Sequence, residues 1–177
     1  MSLNHFDFRI KESSIINGIT VIDGTINKDL RGLIYTSYHK SLFDHLLPEN
    51  LKFHHDKFTI SKKGVLRGLH YDKKTWKLIS CISGEIFQVV VDHRPKSNTY
   101  LKWQSWYLKQ DEPVFILIPP FFANGFCALK KNSIYHYKLA YEGEYNDADK
   151  QFVLKWDDPR LNIPWPIDQP ILQEKDK

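Results

Sequence analysis

A chain of 177 residues with 42% hydrophobic side chains suits one compact domain spanning residues 1–177. Its 11 Phe, 9 Tyr and 5 Trp against 8 Gly, without a low-complexity tract or heptad pattern, exclude a disordered or coiled-coil chain. The 25 basic and 21 acidic residues are interspersed, with a net charge of +4, which tolerates an anionic small molecule and argues against a nucleic-acid partner.

The opening MSLNHFDFRIKESS carries no apolar run of the signal-peptide kind, and no later segment is long enough to span a bilayer as a helix. A cytoplasmic protein without membrane partners is expected. GITVIDGTI and GLIYTSYH (18–39) then predict strands through their β-branched and aromatic content. SLFDHLL (41–47) predicts a short helix, with Ser41 as N-cap, Leu42, Phe43, Leu46 and Leu47 on one side, and Pro48 as its stop. GVLRGLHY, KLISCIS, EIFQVVVD, KWQSWYL, PVFILIPP, GFCALK and SIYHYKLAY follow as strand-like runs separated by polar turns, the pattern of an all-β sandwich or barrel. In EIFQVVVD parity puts Phe87, Val89 and Val91 on one face and Ile86, Gln88, Val90 and Asp92 on the other, so Gln88 is expected inside the barrel. Cys81 and Cys127 lie in apolar runs and read as reduced core thiols. The tail WDDPRLNIPWPIDQPILQEKDK has no clear period and predicts an extended wrap over the barrel.

Arg67, His70, Lys77, Gln88 and Tyr137 are polar residues within these runs, and buried unpaired charge is costly, so together they predict a polar cavity. Arg67 and His70 are three positions apart and would face opposite ways on a regular strand. A bulge or sharp twist at Gly68 is therefore required to bring both into one cavity. Histidine titrates at about pH 6.5 and suits a general base once a carboxylate orients it, with Tyr137 as an acid on the other side of a substrate and Lys77 as support for an oxyanion. Proton removal beside a carbonyl followed by reprotonation on the opposite face is epimerisation. A metal site is disfavoured, since His54 and His55 are adjacent, no His-x-His occurs, and His136 alternates with Tyr135 and Tyr137 onto the other face.

GVLRGLHY, KLISCISGEIFQVVVDHR, IPPFFANGF, YHYKLAY, WDDPRLNIPWP and EKD, with KDLRGLIYTSYH before them, resemble in order the blocks of the dTDP-4-dehydrorhamnose 3,5-epimerase family from about residue 15 onward. The resemblance implies a cupin jelly-roll barrel with a few short helices, a homodimer, no metal or organic cofactor, and a nucleotide-linked 4-keto-6-deoxy sugar as substrate. It also implies site residues: His70 as base, Asp176 as its supporting carboxylate, Tyr137 as acid, Lys77 near the sugar O4, Arg67 on the pyrophosphate and Arg31 as a second ligand-contacting arginine. Asp176 lies close to the end of the sequence, where chains often fray, so the tail must fold back onto His70.

The departures from the family pattern fall on its ligand contacts. Asn124 stands for a wall histidine, Gln88 for an aspartate, Thr36 for a glutamate, and His55 and Lys57 for a Gln-x-Asn pair. With LKFHHDKF, KTWKLISC and KLAYEGEYNDA, these are similar to a branch that epimerises GDP-linked 4-keto-heptoses for bacterial capsules. The expectation is GDP over dTDP, at C3 or at both C3 and C5. The alternatives are dTDP-4-dehydrorhamnose 3,5-epimerisation, a nucleotide-sugar ketoisomerase, and a non-catalytic nucleotide-sugar-binding cupin.

Overall fold

A computed structural model gives the fold for residues 7–177. In chain order the strands are β1 (Phe8–Glu12), β2 (Thr20–Gly24), β3 (Asn27–Asp29), β4 (Gly32–Ile34), β5 (His55–Ser61), β6 (Leu66–Tyr71), β7 (Trp76–Ser83), β8 (Glu85–Asp92), β9 (Trp103–Lys109), β10 (Val114–Ile118), β11 (Phe122–Ala128), β12 (Ser133–Ala140) and β13 (Phe152–Val153). One short helix, α1 (Lys40–Phe43), precedes β5. A six-stranded sheet runs β1-β2-β10-β7-β12-β5 and faces a five-stranded sheet, β13-β6-β11-β8-β9, while β3 and β4 form a separate hairpin. Two stacked, largely antiparallel sheets make the expected all-β jelly-roll sandwich of the cupin kind.

The period-2 pattern decides which side chains fill the sandwich. Ile79, Cys81, Ile116 and Tyr135 from the first sheet meet Ile86, Val90 and Phe126 from the second in the inner core. The other face of β8 presents Phe87, Val89 and Val91, and Leu154 after β13 together with Leu161, Ile163, Trp165 and Ile167 of the tail cover them. Both faces of β8 are thereby buried, and the parity assignment holds with Gln88 on the inner face. Polar anchors fix the tail: the indole N–H of Trp103 donates to Leu161 O at 2.7 Å, and Ile171 exchanges backbone bonds with Gly64 and Leu66 at 2.8 and 3.1 Å. Cys81 and Cys127 are free and buried, one in each core layer. No helix among the described residues is long and apolar enough to cross a membrane.

The helix over 41–47 forms as a single α turn followed by a 3₁₀ turn, Asp44–Leu46, and Ser41 is not its cap. His39 occupies the N-cap position, because its carbonyl accepts the N–H of Phe43 at 3.0 Å and starts the turn two residues earlier. The Ser41 hydroxyl instead meets His39 Nδ1 at 2.8 Å. Phe43 and Leu47 are buried on the outer face of the six-stranded sheet, whereas Leu42 is exposed. GLIYTSYH contributes only β4, and β1, β3, β5 and β13 are strands that the sequence pattern did not single out.

The bulge at Gly68 is present. On β11 two steps separate Asn124 from Phe126, while their partners His70 and Arg67 on β6 are three steps apart. Gly68 takes φ +123°, and a Cβ placed there would sit 2.5 Å from Gly125 Cα and 2.8 Å from Asn124 O. Both obstacles are backbone, so neither a side chain nor an L-residue dihedral is accommodated. Gly68→Ala is expected to lower unfolding free energy by roughly 2–4 kcal/mol in urea titrations. A variant within about 0.5 kcal/mol of the parent, which is the range of an ordinary surface change, would show that the ladder tolerates a side chain there.

Candidate active site

A cleft opens between the two sheets. Lys57 and Thr59 of β5, Lys77 of β7 and Tyr137 of β12 line it from one side, and Arg67, His70 and Asn124 of β6 and β11 from the other. The bulge is the reason Arg67 and His70 appear together in this lining. Arg67 Nε donates to Ser61 Oγ at 3.2 Å, which steadies the stem and leaves the rest of the guanidinium fork to the cleft. Asn124, opposite His70 on β11, donates to the His70 carbonyl at 3.4 Å.

Asp176 is brought back to β6 by a 3₁₀ turn, Glu174–Asp176, and is fully enclosed there. His70 Nε2 donates to its Oδ1 at 2.6 Å, leaving Nδ1 as the ring nitrogen that can take a proton. The other oxygen, Oδ2, accepts the Gln173 amide at 3.1 Å and the Gly68 N–H at 3.4 Å. Burial alone would raise the Asp176 carboxyl, but the hydrogen bond and charge of His70, helped by the Gln173 and Gly68 donors, hold it below its ordinary value. An ionised Asp176 keeps the imidazole in the tautomer with the proton on Nε2.

Lys77 is buried, and that burial lowers its pKa, with Asp72 acting in the opposite direction. Asp72 is itself enclosed in the β6–β7 turn, where Oδ1 accepts the N–H groups of Lys74 and Thr75 at 2.9 and 2.7 Å. A desolvated ammonium next to bound substrate interacts far more strongly with a developing oxyanion than a hydrated one does. Tyr137 is raised by burial, partly offset by a hydrogen bond with Thr59 and by the charge of Arg67. Its phenol therefore stays protonated at neutral pH and can serve as a donor.

The structure places the remaining candidates unevenly. Lys57 lines the cleft and pairs with Asp147 at 2.5 Å. His55 stands one step beyond the lining, with Nδ1 3.1 Å from the Tyr141 hydroxyl and its ring edge-on to Tyr145 at 4.9 Å, so it supports the wall. Gln88 is sealed in the inner core, with Nε2 bonded to Val89 O at 2.9 Å, because the cleft extends across this sheet only to its β11 partner Phe126 and takes no lining from β8. Arg31 lies on the β3–β4 hairpin, fully exposed and paired with Asp29, and lines no part of its own chain's cleft. The hairpin bonds to neither main sheet, which sets Arg31 apart from the cleft of its own chain. His136 faces outward as expected, bonded to Asp56 at 2.7 Å. Among the described residues no three His, Cys, Asp or Glu side chains gather as a metal site requires.

Sequence reasoning missed Tyr145, Asp147 and Gln151, which close the cleft from the segment after β12, and Gln173 in the tail. They sit where no periodicity marks a face. The one available signal was the density of Tyr, Asp and Gln in YEGEYNDADKQ.

The model of the family described as dTDP-4-dehydrorhamnose 3,5-epimerase matches residues 13–177. The enzyme of that name from Methanothermobacter thermautotrophicus is 35% identical over 178 residues, covering 97% of this chain and 92% of its own, and that from Shigella flexneri is 34% identical, covering 91% and 89%. The crystal structure of dTDP-6-deoxy-D-glucose-3,5-epimerase from Legionella pneumophila, in complex with dTDP-4-keto-L-rhamnose, superposes with a TM-score of 0.86 at 34% identity over 96% of this chain and 90% of that one. The Bacillus anthracis dTDP-4-dehydrorhamnose 3,5-epimerase, with TDP and PPi bound, gives 0.84 at 33% identity, covering 96% and 97%.

The His70–Asp176 pair has a signature in acid. A carboxylate with a depressed folded pKa contributes stability that is complete above its unfolded value of about 3.9 and is lost as pH falls through the folded one. The unfolding free-energy gap between the parent and Asp176→Asn is expected to narrow from about pH 6 to about pH 3 in denaturant titrations. Asp92 and Asp158, each held at about 2 against its arginine partner, are common to both proteins and cancel. A gap independent of pH would contradict an ionised Asp176.

Proposed function

The chain belongs to the dTDP-4-dehydrorhamnose 3,5-epimerase family and is a nucleotide-sugar epimerase, and from that premise we propose that His70, Asp176, Tyr137 and Lys77 carry out the reaction on a dTDP-linked 4-keto-6-deoxy sugar. The observation that carries this reading is the hydrogen-bonded His70–Asp176 pair in one cleft with Tyr137 and Lys77. The C4 ketone acidifies the hydrogens at C3 and C5. His70 Nδ1 takes one of them, and the electron pair moves onto the C4 oxygen, where the Lys77 ammonium stabilises it. Collapse of the enolate with a proton delivered by Tyr137 to the opposite face inverts the carbon, and solvent restores the phenol while His70 releases its proton. Both carbons flank one carbonyl, so the same groups serve either after the ring reorients.

Arg67, with its fork in the cleft, suits the diphosphate, and Lys57 adds a second cation. The dTDP series is favoured by the relatives named above, two of which are described with dTDP-type ligands. The GDP-linked heptose reading rests on Asn124, His55, Lys57 and their neighbouring segments, and none of those relatives carries it. Inversion at C3 alone or at both carbons is decided by following exchange at each carbon. A homodimer is also proposed, on the exposed Leu30, Leu33 and Ile34 of the β3–β4 hairpin. In such a dimer Arg31 would meet ligand only in a neighbouring subunit's cleft.

Proton NMR in heavy water with dTDP- and GDP-linked 4-keto sugars is expected to show exchange at C3, at C5 or at both, with dTDP substrates turning over faster. His70→Ala should lower exchange by about 10³-fold or more with nucleotide affinity nearly intact, and Tyr137→Phe should keep exchange while losing inversion by about 10²-fold or more. Tight binding without exchange in either series would replace the epimerase with a binding module. A ketone displaced from C4 would mean ketoisomerisation.

A further inference from the structure

Gln173 grips Asp176 twice. Its backbone carbonyl accepts the Asp176 N–H at 3.0 Å, which closes the 3₁₀ turn, and its side-chain amide donates to Asp176 Oδ2 at 3.1 Å. Among the described residues the other donor to that oxygen is the Gly68 N–H, at a long 3.4 Å. Without the amide, a buried carboxylate oxygen would be left with one weak bond, a costly state that rotation of the carboxyl group would relieve. Such rotation would take Oδ1 away from His70. Gln173 also lines the cleft, so this support stands beside the space for substrate.

We propose that Gln173 is a positioning residue for the base: its amide holds Asp176 Oδ2 so that Oδ1 stays on His70 Nε2. The bond has an electrostatic consequence as well. It draws part of the carboxylate charge away from the imidazole, so the dyad gives up its proton at a lower pH than an unsupported pair would. The other charged or titratable groups facing this cleft are Arg67, Lys77 and Lys57 from β6, β7 and β5, Tyr137 from β12, and Tyr145 and Asp147 from the segment after β12. None of these is altered by changing Gln173.

The inference rests on the reading of His70 as the base, and its test separates the two. Gln173→Met keeps the length of the side chain and removes the donor, and Gln173→Ala removes both. In the free protein, NMR titration of the His70–Asp176 dyad is expected to shift upward by about 0.5 pH unit in both variants. The acid limb of kcat/KM should move by the same amount, a loss of about 3-fold below the limb, with the high-pH plateau kept. A lower Tm with an unmoved titration would reduce Gln173 to a structural turn residue and overturn the inference. Should the parent protein catalyse no exchange, the epimerase reading fails, and the titration of the free protein still decides what Gln173 does to the dyad.

Discussion

The close approach of Gly68 to Gly125 is the constraint on which the site depends. Two backbone segments of adjacent strands come so near that a single Cβ on either would strike main-chain atoms of the other. That approach absorbs an extra residue into β6 and turns the strand between Arg67 and His70. A regular ladder would have satisfied the same backbone groups and sent one of these side chains to the wrong face. The phosphate-binding candidate and the base are therefore neighbours through an irregularity in the sheet.

The second condition is the tail. It performs two tasks with one run of residues, covering the apolar outer face of the five-stranded sheet and delivering a carboxylate to its inner side. Trp165, Ile163 and Ile167 supply the burial, and Ile171 docks by backbone bonds at the start of β6. The turn at Gln173 then directs Asp176 under His70. The site's charges follow from the resulting enclosure: an anion held by donors behind the base, a desolvated cation at Lys77, and a phenol kept neutral at Tyr137.

Strand parity and the spacing of polar residues made much of this legible. The alternation in EIFQVVVD assigned both faces of β8 correctly, and the three-residue spacing of Arg67 and His70 demanded the bulge. β5 escaped notice because its pattern is inverted, with His55, Lys57 and Thr59 turned inward while Phe58 and Ile60 lie exposed. Arg31 stands apart from its own chain's cleft for another reason: a motif match gives a residue type at a chain position and says nothing of which cleft a detached hairpin reaches. Gln88 shows that an inward direction is insufficient, since the cleft reaches across the sheet to β11 and stops short of β8. Tyr145, Asp147, Gln151 and Gln173 lie on irregular segments, whose course depends on tertiary packing that no local period encodes.

The long sequence separation of the base and its carboxylate gives the molecule two levels of order. His70 belongs to a ladder paired on both sides, by β11 and β13, whereas Asp176 is held by a short 3₁₀ turn and a few bonds around Ile171 and Gln173. The end of the tail can thus open locally, at a free-energy cost below that of dissolving the sheets. In that opened form the sandwich would persist with its base disconnected, so chemical competence and folded architecture need not disappear together.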